Sequence, residues 1–65
     1  MRQNLRNASG KLLGWRQQMG RQIRAYAADG SPVGWYDTAI NATYDRNGRR
    51  VGTGDLLASL VVRAG

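Results

Sequence analysis

Apolar and polar residues recur in this chain in a frame of fixed spacing. Between Ile23 and Val51 two turn dipeptides, Asp29-Gly30 and Asn47-Gly48, occupy matching positions. Each Gly has a Tyr four residues before it (Tyr26, Tyr44), a Val three after (Val33, Val51) and a second Gly four after (Gly34, Gly52). Ser9-Gly10 opens a third copy, followed at the same offsets by Leu13 and Gly14, and the frame closes on Trp15, Trp35 or Thr53. The turn glycines lie 20 and 18 residues apart. A repeat of this length holds two short strands and two turns, so it predicts a β-hairpin and its return. Gln17 to Arg21 supplies one return turn and Asp37 to Ala42 a longer one. The reading is mainly β: an antiparallel meander of about six short strands, near 3–8, 11–17, 21–28, 32–37, 42–46 and 49–53. The first of these, polar except for Leu5, reads as an edge strand or a loose arm. Pro32 falls just after a turn, where a strand start tolerates it.

The tail changes period. Leu56, Leu57, Leu60 and Val61 fall on one stripe of a helix, which predicts a short helix over about 55–63. Asp55 or Thr53 is placed to cap its first turn, and Arg63 suits the negative end of its dipole. The β-branched run at its end also admits a seventh strand. A helix this short is not stable alone. It is expected to dock on its own sheet or on a neighbouring subunit, with Leu56, Leu57, Leu60 and Val61 as candidate oligomer contacts.

Two-residue loops at Asp29-Gly30 and Asn47-Gly48 set Tyr26 opposite Val33, Arg24 opposite Trp35 and Tyr44 opposite Val51. A two-residue loop at Met19-Gly20 sets Trp15 opposite Arg24, and a four-residue loop at 38–41 sets Trp35 opposite Tyr44. This register collects Leu13, Trp15, Arg24, Tyr26, Val33, Trp35, Tyr44 and Val51 on one bulky face. It leaves Gly14, Ala25 and Gly34, and further along Tyr36, Thr43 and Gly52, on the other.

Composition narrows what such a sheet does. Sixty-five residues make one domain, burying only roughly 60% of the surface that the unfolded chain exposes. With no Cys, neither disulfides nor thiolate metal sites reinforce it, which favours homo-oligomerisation. Ten basic residues, nine of them Arg, face four acids, all Asp, for a net charge of +6. An Arg surplus suits phosphate, carboxylate and nucleic-acid recognition; codon bias in a GC-rich genome produces the same surplus. No apolar run is long enough to span a membrane. The polar N-terminus lacks a signal-peptide core, so a cytoplasmic location is expected.

Catalysis is not expected, and neither is a cofactor or a metal. His, Cys and Glu are absent, and Ser9, Ser31 and Ser59 have no evident base. Asp37 and Asp45 could pair as carboxylates, but Asp at loop flanks ordinarily bonds nearby backbone donors. The sharper constellation is aromatic. The expected register puts the Arg24 guanidinium between Trp15 and Trp35, a cation–π arrangement worth roughly 0.5–1 kcal/mol when exposed. With Tyr26 and Tyr44 these residues form either a structural ladder or a binding face for bases or sugars. Arg46, Arg49 and Arg50, with Arg2, Arg6 and Lys11, form a candidate polyanion rim, or else a charged edge that blocks aggregation.

Tyr44-Asp45-Arg46-Asn47-Gly48-Arg49 resembles the YD repeat of Rhs-type proteins. Gly14-Trp15, Gly20, Tyr26, Gly30 and Gly34-Trp35 resemble the glycine–tryptophan spacing of choline-binding and other cell-wall-binding hairpin repeats. The whole is similar to short bacterial proteins of unassigned role that end in a Tyr-Asp…Gly…Val-Gly-x-Gly…Leu-Leu pattern. These resemblances imply a hairpin-repeat architecture. The functional expectation is a non-catalytic binding or assembly module, acting by protein–protein interaction as a homo-oligomer. The alternatives are nucleic-acid or polyanion binding through the Arg rim and Trp platform, and carbohydrate binding.

Overall fold

A computed structural model describes residues 2–64. Six strands, β1 (Arg2–Arg6), β2 (Leu12–Met19), β3 (Gln22–Ala27), β4 (Pro32–Asp37), β5 (Ala42–Asp45) and β6 (Arg50–Thr53), precede one helix, α1 (Leu57–Ala64). The strands form a single antiparallel sheet in chain order, β1-β2-β3-β4-β5-β6. The expected meander and C-terminal helix are both present.

The three repeat turns share one geometry. The carbonyls of Asn7, Ala27 and Asp45 accept from the N–H groups of Gly10 (2.9 Å), Gly30 (2.9 Å) and Gly48 (3.0 Å). The same three residues donate to the carbonyls of Lys11, Ser31 and Arg49. Each loop therefore has three residues and ends on a glycine at φ 81, 91 or 85°, a left-handed conformation that a side chain disfavours. The expected two-residue loops are corrected on this point, and Tyr26 opposes Pro32 while Tyr44 opposes Arg50. A bulge follows each turn, with Leu13, Val33 or Val51 as the extra residue. The bulge restores the register, so Arg24 still opposes Trp35. It also breaks the alternation of faces. Leu13 and Val33 pack against the core on the helix side instead of joining the tryptophans, and Val51 is exposed.

The β2–β3 turn is a second correction. The loop is Gly20-Arg21, with Met19 opposite Gln22, so Trp15 opposes Tyr26 and Arg24 opposes Gln17. The four-residue loop at 38–41 is as expected, with Asp37 opposite Ala42 and Trp35 opposite Tyr44. The Thr38 hydroxyl and N–H tie it to the Arg21 carbonyl.

The helix covers the small-residue face. Leu57 and Val61 are fully buried, with Ala25 beneath them and Leu5, Leu13, Ile23, Val33, Tyr36 and Leu60 around them. The second glycine of each repeat makes room for it. A Cβ on Gly52 would lie 2.8 Å from Leu56 Cδ1, one on Gly34 2.9 Å from Leu60 Cδ1, and one on Gly14 2.9 Å from Val61 Cγ1. The helix thus runs across the sheet from β6 toward β2, seated on equivalent glycines of three successive copies. Asp55 caps it through the Leu57 N–H (3.2 Å) and pairs with Arg16 (2.5 Å). The buried Thr43 hydroxyl donates to the Gly54 carbonyl (2.6 Å) and accepts from the Leu56 N–H (3.0 Å), which fixes the chain entering the helix.

Candidate binding face on the open side of the sheet

With one face covered by α1, the other presents the aromatic residues. They stand as two cross-strand stacks: Trp15 on Tyr26 (centroids 5.5 Å apart, planes at 25°) and Trp35 on Tyr44 (5.4 Å, 17°). Each Trp comes from one repeat and its Tyr from the next. The far edge of each indole lies near the turn glycine of that next hairpin: a Cβ added at Gly30 would be 3.8 Å from Trp15 Cη2, and one at Gly48 3.9 Å from Trp35 Cη2. All four rings are half-buried, each stack giving up one ring face to its partner.

The expected Trp15–Arg24–Trp35 sandwich is not formed, because the β2–β3 turn moves Trp15 from Arg24 to Tyr26. Arg24 lies beside Trp35 alone. The cation over Trp15 is Arg2, its Cζ 4.1 Å from the ring centroid. From the sequence Arg2 belongs only to a general rim; its site follows from the β1–β2 register, which sets Arg2 opposite Gln17, two pairs along from Trp15 and on the same face. Arg46, Arg49 and Arg50 are all exposed around the last turn. Arg50 opposes Tyr44, and Arg46 reaches a groove between the two stacks. Arg49 directly follows the three-residue loop, its backbone tied to Asp45. Arg6 is turned to its own hairpin, donating to the Gly10 carbonyl.

The acids are engaged in turns, a loop and the helix cap. Asp29 accepts from the Ser31 hydroxyl (2.6 Å) and N–H (2.9 Å), which hold its carboxyl below the usual range. Asp45 accepts from the N–H groups of Asn47 and Arg49. Asp37, buried, accepts from the Ala39 N–H and pairs with Arg21 (3.3 Å). Asp55 serves the helix. Asp37 and Asp45 point to opposite faces of the sheet, three positions apart along the strands, so they form no carboxylate pair. Among the described residues no group of three potential metal ligands is found, and no helix is long and apolar enough to cross a membrane.

The candidate oligomer contacts Leu56, Leu57, Leu60 and Val61 are used within the chain. Leu57 and Val61 have no exposed surface, and the other two rest on Gly52 and Gly34. The stripe docks on its own sheet because the repeated glycines leave a channel that fits it.

Two hollows flank this architecture. One, about 680 Å³, lies on the helix side among the hairpin turns, and its wall includes Asp29 and Asp45. The other, about 350 Å³, is the groove on the aromatic face, bordered by Tyr26, Pro32, Trp35, Arg24 and Arg46, with no aspartate among the described residues that line it. Set against known proteins, the chain matches no family model, no curated protein and no solved structure.

Proposed function

We propose that this protein is a non-catalytic module that binds single-stranded nucleic acid on the open face of its sheet. The observation that carries this reading is the composition of that face. Two aromatic stacks are interleaved with Arg2, Arg24, Arg46 and Arg50, while every aspartate is engaged in a turn, a loop or the helix cap. Aromatic rings accept bases with little regard to sequence, and guanidinium groups track the backbone. Duplex DNA hides its base faces and would leave the rings unused.

Binding of a labelled oligonucleotide, followed by anisotropy across a salt series, tests the proposal. Neutralising roughly four phosphates predicts a slope of log K against log salt of roughly −2.8 for a single strand. Trp fluorescence should be quenched in parallel. Quenching by neutral sugars with no response to oligonucleotides would overturn the reading in favour of a carbohydrate ligand.

A second reading, self-association, is favoured by the thin core. Among the described residues the fully buried apolar side chains are Ala25, Ala42, Leu57 and Val61, which is little for an isolated domain. With the helix stripe engaged, association would use the aromatic face or the sheet edges. Light scattering at low and high salt after nuclease treatment separates the readings: a discrete oligomer at both salts supports association, and a monomer that sheds nucleic acid at high salt supports the first.

A further inference from the structure

The groove between the stacks has a more specific geometry than the face as a whole. Strand register places Asn4, Trp15, Tyr26 and Pro32 in one row across the sheet, and Gln17, Arg24, Trp35 and Tyr44 in the next. The two stacks are therefore staggered, displaced by two strands across the sheet and by one side-chain repeat along it. Where they would otherwise meet, the cross-strand partner of Tyr26 is Pro32, a short side chain. This leaves a gap of about 350 Å³, at the small end of the range for small-molecule sites, roughly 300–1,000 Å³. One ring face of Tyr26 is taken by Trp15 and one of Trp35 by Tyr44. Both rings also border the gap, so each offers it aromatic surface that its own stack does not use.

The charges around the gap are of one sign. Arg24 borders it from β3, with only a long hydrogen bond to Gln22 (3.4 Å). Arg46 borders it from the β5–β6 turn. Among the described residues no acidic side chain lines it. A neutral flat ligand would use the aromatic walls and leave both guanidinium groups idle; an inorganic anion would use the guanidinium groups and leave the walls idle. A ligand that joins a planar ring to a phosphate uses both.

We infer that the gap bounded by Tyr26, Pro32 and Trp35 is a nucleobase slot, with the attached phosphate held between Arg24 and Arg46. This deepens the proposed single-strand reading and rests on it. The slot would fix one nucleotide of a bound strand, and the outer parts of the stacks would carry its neighbours with less discrimination.

The test uses the full chain, isotopically labelled, titrated separately with adenosine 5′-monophosphate, adenosine, inorganic phosphate and a ten-nucleotide single strand. The expected result is that the monophosphate moves the Trp35 indole N–H resonance and the Tyr26 and Arg46 amides. It should bind roughly tenfold more tightly than adenosine or phosphate, as one charge-assisted hydrogen-bonded contact allows. Arg46→Gln should lower monophosphate affinity roughly tenfold, while Arg63→Gln, an equal loss of charge on the helix, should change it less than twofold. Arg24→Gln repeats the test from the other side of the gap. Equal losses for Arg46→Gln and Arg63→Gln, or shifts confined to Trp15 and Arg2, would overturn the slot. Oligonucleotide binding that persists in that case leaves the single-strand reading standing. Failure of both the monophosphate and the ten-nucleotide strand to bind overturns the two together.

Discussion

Leu60 of α1 rests on Gly34 of β4, so close that a Cβ on the glycine would lie 2.9 Å from Leu60 Cδ1 and also collide with the Tyr44 carbonyl oxygen. The neighbouring backbone cannot yield as a side-chain tip can. Gly34→Ala should therefore cost about 1–3 kcal/mol, in the range of overpacked cores. Gly52→Ala meets only the mobile end of Leu56 and should cost clearly less. Urea unfolding of the two variants, followed by Trp fluorescence, measures the difference; equal losses would mean that the Tyr44 carbonyl does not stand in the way of a side chain at position 34.

Leu57 carries the core. Replacing it by Ala should cost about 2–5 kcal/mol, against a total of roughly 3–10 kcal/mol for a chain of this length. Val62, on the same helix and 61% exposed, should change stability by less than about 0.5 kcal/mol when cut to Ala. Thermal unfolding by circular dichroism compares them directly. A folded Leu57→Ala protein with unchanged melting temperature would contradict the packing described above.

The aromatic stacks should show pairwise coupling. In a double-mutant cycle, Trp35→Leu and Tyr44→Leu should give an interaction energy of about 0.5–1.5 kcal/mol. Trp15→Leu with Tyr44→Leu, drawn from different stacks, should be close to additive. Chemical denaturation of the four variants in each cycle measures both terms.

Asp29 supplies a pH signature. Its carboxyl is held below 3.8 first by the Ser31 hydroxyl and then by the Ser31 N–H. The folded state thus binds fewer protons than the unfolded state through this window. The stabilisation is complete above the unfolded value and is lost as pH falls through the folded one. Ser31→Ala removes the larger contribution, so the Asp29 titration followed by carboxyl NMR should move up toward 3.8. An unchanged midpoint would show that the hydroxyl does not hold the charge.

The repeat frame made the six strands, their order and the helix legible in the sequence, because turn glycines at fixed offsets admit few other arrangements. The pairs Arg24–Trp35 and Trp35–Tyr44 were legible too. What the sequence left open was turn type. An Asp-Gly or Asn-Gly dipeptide fits both a two-residue loop and the end of a three-residue one, and the choice is made by the bulge at Leu13, Val33 or Val51. At Gly20 the loop slides by one residue, which moves each partner by two and so preserves the face while exchanging Arg24 for Tyr26 opposite Trp15. The aromatic members of the candidate site were therefore visible, and the place of the guanidinium groups among them was not. The closeness of Arg2 to Trp15 and of Arg46 to the groove comes from tertiary register, which no local pattern encodes.

The stacks also bear on how such a chain could have grown. Trp15 and Tyr26 belong to successive copies of the frame, as do Trp35 and Tyr44, while the first copy carries Arg6 in the tyrosine place and the third Thr53 in the tryptophan place. A lone copy has nothing to stack on, two copies complete one stack, and three complete two. The segment that duplicates is thus offset by half from the segment that coheres. Adding a copy would add a stack and a further glycine seat beyond the helix, whereas deleting the middle copy would remove both Tyr26 and Trp35 and leave Trp15 and Tyr44 to make a single stack.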